Sequence, residues 1–142
     1  MKFHTPFIIK KLPQSIRHTN SLFLIGSCFT ENIGEKLRNA KFKVYENPAG
    51  ILFNPVSVAE TIIDCIDKKV FFPSDLFNYN EGWHSWKHHS RFSDITPEAS
   101  LKKINNSINE ANKALKDAEY LFITLGSAWV YTLTEKAENG VV

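Results

Sequence analysis

The sequence predicts an α/β fold: a parallel sheet with right-handed crossovers, its faces covered by helices. Two observations predict it. The short, mainly apolar runs at 22–26 and 120–125 each close on a glycine, Gly26 and Gly126, as strands buried on both faces do. Between them lie three stretches whose apolar residues recur three and four apart, the period of an amphipathic helix.

In chain order, Leu-Phe-Leu-Ile-Gly at 22–26 is the first strand. Phe29, Ile33, Leu37 and Ala40 follow at helical spacing, enough for roughly three turns. Phe42, Val44 and Tyr45 suggest a second strand, stopped by Asn47-Pro48-Ala49-Gly50. Asn54 as N-cap and Pro55 at the first helical position open a second helix. Its expected core face is Val58, Ala59, Ile62, Ile63 and Ile66, with Cys65 among them as inert core. Residues 69–95 show no period and carry aromatics, histidines and prolines, so an irregular loop or insertion is expected there. Thr96-Pro97-Glu98 repeats the cap-plus-proline start. Leu101, Ile104, Ile108, Ala111, Leu115 and Ala118 then mark the strongest helix in the chain. A buried strand is expected at 120–125 and another at 129–134. Glu138-Asn139-Gly140 has hairpin-turn composition, and a returning strand starts at Val141-Val142.

At 142 residues the chain has room for one domain with a moderate core, and 43% apolar content fits a globular fold rather than disorder. The 17 Lys and Arg are scattered and the net charge is only +2, so no nucleic-acid-binding stripe is present. The longest apolar run near the N-terminus, Phe7-Ile8-Ile9, is too short for a signal segment or a membrane span. Two cysteines, Cys28 and Cys65, make no disulfide framework, and a reducing, cytoplasmic compartment is expected.

Open parallel sheets hold ligands beyond the C-terminal ends of their strands. Gly26, Gly50 and Gly126 fall at or just after three such ends and are expected to share one rim. At the first, Ser27 and Cys28 stand side by side where a helix begins. Backbone N–H groups and the helix dipole favour developing negative charge there. The plain alternative is a strand-to-helix turn with Ser27 as N-cap and Cys28 packed beneath it. His84 and His88, four apart, would align two imidazoles on a helix, but no third ligand follows at a recognisable spacing, so no metal is expected. Trp83 and Trp86 are either a stacking platform for a sugar ring or half-buried packing.

Gly26-Ser27-Cys28-Phe29 resembles the signature of the GSCFA family, bacterial proteins related to the SGNH/GDSL hydrolases. Further matches are Asn47-Pro48-Ala49-Gly50-Ile51-Leu52-Phe53-Asn54-Pro55, His89-Ser90-Arg91-Phe92 and Thr124-Leu125-Gly126-Ser127-Ala128-Trp129, in family order. The resemblance implies a three-layer, flavodoxin-like (SGNH-type) sandwich whose site is built by loops after the first strands. It also implies that residues 1–142 are the N-terminal portion of a longer domain, incomplete at the C-terminus. An exposed sheet edge and self-association are then expected.

Laid on the GDSL motif, the family register puts Cys28 at the nucleophile position; Ser27 would need a turn one residue shorter. Thiolates are nucleophilic without a perfectly aligned base, which also favours Cys28. Gly50 matches the second oxyanion donor. The third is a departure: the Gly-x-Asn pattern on Gly126-Ser127-Ala128 finds alanine. One such donor is worth ~100- to 1000-fold in rate, and Asn47, Asn54 or Ser127 are the candidates to replace it. His89 matches as a site-lining residue. The family's Asp-x-x-His base is missing from this chain. The implied function is a hydrolase or acyltransferase acting on a small-molecule or carbohydrate ester, without cofactor, nucleic acid or membrane. The alternative is a non-catalytic ligand- or carbohydrate-binding module that keeps the cleft.

Overall fold

Six consecutive residues with no charge, Ser21–Gly26, form β1, the central strand of a three-stranded parallel sheet in this computed structural model. The structure describes residues 7, 8, 10, 11 and 13–134. Strand β2 (Lys43–Glu46) pairs with β1 from Ser21↔Lys43 to Leu24↔Glu46. On the other side lies the last strand of the sheet, Tyr120–Thr124, paired from Leu22↔Tyr120 to Gly26↔Thr124. Helix α1 (Cys28–Asn39) links the first two strands. Helices α2 (Pro55–Ile66) and α3 (Pro97–Asp117) precede the third. Between them a small antiparallel hairpin, β3 (Phe77–Tyr79) and β4 (Gly82–His84), makes Tyr120–Thr124 the fifth strand, β5. The order β2-β1-β5 is that of a flavodoxin-like α/β sheet.

Alternation along β1 builds both layers. Phe23 and Ile25 are fully buried in one cluster with Val58 and Cys65 of α2, Phe71, and Ile104, Ile108 and Ala111 of α3. Each buried Phe, Ile or Val there stabilises by roughly 1.5–3 kcal/mol. Leu22 and Leu24, equally buried, point to the opposite face, where α1 packs over β1 and β2. Both predicted cap-plus-proline starts are present: Asn54 accepts the Ser57 N–H at 2.8 Å, and Thr96 accepts the Ala99 N–H at 3.3 Å. On α3, Ile104, Ile108 and Ala111 are buried, and Leu101, Leu115 and Ala118 pack against the same cluster.

The phases of α1 and α2 differ from expectation. On α1 the inward residues are Thr30 and Gly34, while Phe29 is 60% exposed and Ala40 is exposed. Gly34 is inside because β2 lies close: a Cβ there would sit 1.5 Å from Glu46 Oε2, and Glu46 is held by Arg38 at 2.8 Å. On α2 the buried set is Val58, Thr61 and Cys65, with Ile62 half-buried; Ala59, Ile63 and Ile66 face outward. The helix carries two overlapping apolar stripes, and α3 selects one. Its Asn112 donates to the Cys65 and Ile66 carbonyls at 2.8 and 3.1 Å. Cys65 is core as expected, and burial pushes its thiol up to about 12.

Strand β5 is exposed rather than buried, with Leu121 and Ile123 nearly half accessible. Among the described residues only β1 pairs with it. Residues 129–134 form no strand. The turn at 138–140 and the strand at 141–142 lie outside the described residues. Residues 69–95 are not irregular throughout. They hold the hairpin, closed by Asn80 and Glu81 at φ 47° and 61°, and 3₁₀ turns at Pro73–Asp75 and Ser90–Phe92. Two consecutive left-handed residues make the type I′ turn that suits strand twist, but three-residue strands are too short to show a period. No helix among the described residues is long and apolar enough to cross a membrane.

Candidate functional site

The C-terminal ends of β1 and β5 meet at Gly26. Its φ is 140°, and a Cβ there would lie 1.9 Å from the Thr124 carbonyl oxygen. Only glycine lets the two strands stay this close before the chain turns. Ser27 follows in extended conformation, and its N–H donates to the Thr124 carbonyl and to Thr124 Oγ1, both at 3.1 Å. The Ser27 and Thr124 hydroxyls are 3.0 Å apart, and Thr30 Oγ1 joins the same Thr124 hydroxyl. Ser27 is thus turned inward, 7% exposed, and its side chain caps nothing although it holds the N-cap position. Cys28 is the first residue of α1 and is exposed. The structure separates the two adjacent nucleophile candidates: the hydroxyl is tied to β5, and the thiol is presented beside the open N–H groups of a helix start.

Asn47 holds the turn from below. Nearly inaccessible and left-handed at φ 45°, it receives the Gly26 N–H on Oδ1 at 2.8 Å. Its own N–H donates to the Leu24 carbonyl at 3.0 Å, and its Nδ2 reaches Glu31 Oε1 at 3.4 Å. Arg91 straps the assembly, with Nη1 on Glu31 at 2.7 Å and Nη2 on the Asn47 carbonyl at 2.9 Å. One buried residue therefore couples the β1 turn and α1 through its side-chain amide and the 90–92 turn through its backbone carbonyl. Asn47→Ala is expected to cost about 2–3 kcal/mol in urea unfolding, because it orphans the Gly26 N–H and puts alanine in a left-handed site. A loss below about 0.5 kcal/mol would show that the amide holds nothing.

The remaining predicted residues fall around this rim. His89 covers Gly50, whose φ is 89° and whose Cβ would lie 2.3 Å from His89 Cβ. His89 N–H donates to the Ala49 carbonyl at 2.8 Å, and its Nδ1 accepts the Arg91 N–H at 3.3 Å. The Gly50 N–H donates to the Asn47 carbonyl at 2.8 Å. The N–H groups of Gly126 and Ser127 both donate to the Phe53 carbonyl, at 2.9 and 3.0 Å, and Ser127 Oγ accepts the Trp129 N–H. A Cβ on Gly126 would lie 2.8 Å from the Phe53 ring and 3.6 Å from Ser27 Cβ, so Gly126 sits beside the turn that follows Gly26, and Gly50 joins that turn through Asn47. Asn54 spends both side-chain atoms on Ser57 as the α2 cap.

The sequence marks neither Glu31 nor Arg91 as a site residue; Arg91 stands in it only as part of the His89-Ser90-Arg91-Phe92 match. His84 and His88 serve separate local bonds, His84 with Ser93 Oγ and the Tyr79 carbonyl, His88 with Ser85 Oγ. Among the described residues no group of three could hold a metal. Trp83 and Trp86 do not act as a pair: Trp83 bridges Asp94 through its backbone, while Trp86 stacks on Phe77.

The model of the GSCFA family matches residues 21–141. No curated protein and no solved structure matches the chain.

Proposed function

The chain belongs to the GSCFA family, and on that premise we propose that it is an SGNH-like ester hydrolase or acyltransferase with Cys28 as its nucleophile. The observation that supports this is the exposed thiol at the first position of α1, at the C-terminal rim of a parallel sheet. The Cys28 sulfur, as thiolate, attacks the acyl carbon of an ester. The C–O bond breaks, the alcohol leaves with a proton from the acid that took up the thiol's, and a thioester remains. Water, or a second alcohol in transfer, then cleaves the thioester, releases the acyl group and returns the thiolate. The first N–H groups of α1 face the developing oxyanion. Gly50 joins them once its bond to the Asn47 carbonyl opens, and His89 borders the acyl or alcohol group. Among the described residues no imidazole bonds to Ser27 or Cys28, so in this reading the base comes from outside this rim.

The second reading, a binding module, is favoured by one observation. The N–H groups of Gly50, Gly126 and Ser127 are all committed to backbone carbonyls. Labelling with an acyl phosphonate probe, mapped by mass spectrometry across pH, decides between them. The expected adduct is on Cys28, absent from Cys65 and lost in Cys28→Ala. An adduct on Ser27 would move the nucleophile by one residue. Failure to label either residue would leave the rim as scaffold and make the binding module the better reading.

A further inference from the structure

A cavity of about 980 Å3 opens between α2, the segment 69–77, residues 85–87 and the stretch 130–134. Neither Ser27 nor Cys28 lines it. Its distinctive wall is Trp86. The indole stacks on the Phe77 ring with centroids 3.9 Å apart and planes 15° from parallel, yet the residue is 48% exposed. One face is thus braced by Phe77 while about half of the residue stays open to water.

Around this surface the lining is mainly apolar, with charged side chains of both signs set into it. Glu60 and Asp75 face Lys69 and Lys87, two charges of each sign. Lys87 is already shared between Glu60 at 3.2 Å and Asp64 at 3.4 Å. Lys69 also pairs with Asp64 at 3.8 Å, so both lining lysines are engaged by carboxylates and neither is free to select an anion. The hydroxyls of Ser57 and Ser85 also line the cavity. Ser57 accepts from Asn54, while Ser85 bonds His88 and accepts the Lys87 N–H. A hydroxyl has one donor and two acceptor positions, so Ser57 keeps two of them and Ser85 one. A braced aromatic face with neutral hydrogen-bonding groups at its edge, in a cleft of ligand size, matches a ring that is apolar on its face and hydroxylated at its rim.

We propose that this cleft binds a saccharide, with a pyranose C–H face on Trp86 and ring hydroxyls on Ser57, Ser85 and Glu60. As a site for the alcohol part of an ester substrate it rests on the proposed function; as a saccharide site it does not. The test is titration of the protein with chitotriose, xylotriose and maltotriose, read by tryptophan fluorescence and saturation-transfer NMR. At least one trisaccharide is expected to give a saturable shift in the millimolar range. Trp86→Ala should weaken it about tenfold, and Trp83→Phe should leave it unchanged. Glu60→Gln, on the exposed side of α2, should weaken it several-fold with the circular dichroism unchanged, which guards against a Trp86→Ala variant that fails to fold.

No saturable shift with any of the three at about 20 mM would overturn the proposal. So would saturation by sodium octanoate alone, which would make the cleft an acyl-chain pocket. Saccharide binding that survives in Cys28→Ala, with the covalent label lost, separates this cleft from the nucleophile. A saccharide site in a protein whose Cys28 never labels would sink the ester reading and leave this one standing.

Discussion

Gly26→Ala is expected to cost about 4 kcal/mol or more, enough to leave little folded protein at room temperature. The added Cβ would meet the Thr124 carbonyl oxygen at 1.9 Å and Thr124 Oγ1 at 2.8 Å. The first is backbone in the strand paired with Gly26, so relief requires β5 to leave β1. The second belongs to the hydroxyl that fixes Ser27 and Thr30. The φ of 140° adds strain that no side-chain movement removes. Rotating out of it would break the Gly26 N–H bond to buried Asn47. Gly82→Ala is the control: its Cβ would meet the tip of His84 at 3.1 Å and the Asp94 carbonyl at an ordinary 3.7 Å. Urea unfolding followed by circular dichroism measures both. A soluble Gly26→Ala protein within about 1 kcal/mol of the parent would mean that β1 and β5 are not held in this register.

Acidification is expected to destabilise the fold between about pH 6.5 and 4 through His88. Its ring packs edge-on against Phe71 and Phe92, and its Nδ1 bonds Ser85 Oγ at 2.9 Å. Burial, reinforced by Lys87 and Lys69 and only partly opposed by Asp75, lowers it from 6.5 to about 4. The folded protein therefore holds this imidazole neutral in a range where the unfolded chain binds a proton. The contribution is fully present above the unfolded value and lost as pH falls toward the folded one. It amounts to about 3 kcal/mol at most. Urea unfolding at pH 7 and pH 4.5 measures the difference. His88→Leu should be less stable than the parent at pH 7 but should lose much less over the same interval. An equal pH slope in both proteins would place the acid sensitivity elsewhere.

Much of the fold could be read along the chain because local chemistry decided it. The Asn54-Pro55 and Thr96-Pro97 starts each bring their own cap, and the cap side chain satisfies an N–H three residues on, whatever packs nearby. Strand β1 is apolar on both faces, which only a central position in a covered sheet can use. The 90–92 turn could not be read this way. Arg91 reaches Glu31 and Asn47, 60 and 44 residues away, and no short-range pattern encodes that reach.

By itself, then, the sequence determined the order β1, α1, β2, α2, α3, β5, the α/β class, the burial of Cys65 and the placing of Gly26 and Gly126 at or just after strand ends. Those features follow from period, composition and capping, which act over a few residues. The tertiary structure alone decided which stripe of α2 faces inward, that Phe29 points out, and that Leu121 and Ile123 of β5 are exposed rather than buried. It also decided which of Ser27 and Cys28 is presented. Both stand at the same turn, and only the Thr124 hydroxyl, 97 residues beyond Ser27 and delivered by strand pairing, draws the serine inward and leaves the cysteine exposed. A helix or a cap is selected by neighbours in sequence. The exposure of one side chain at a turn is selected by whatever the fold brings against it.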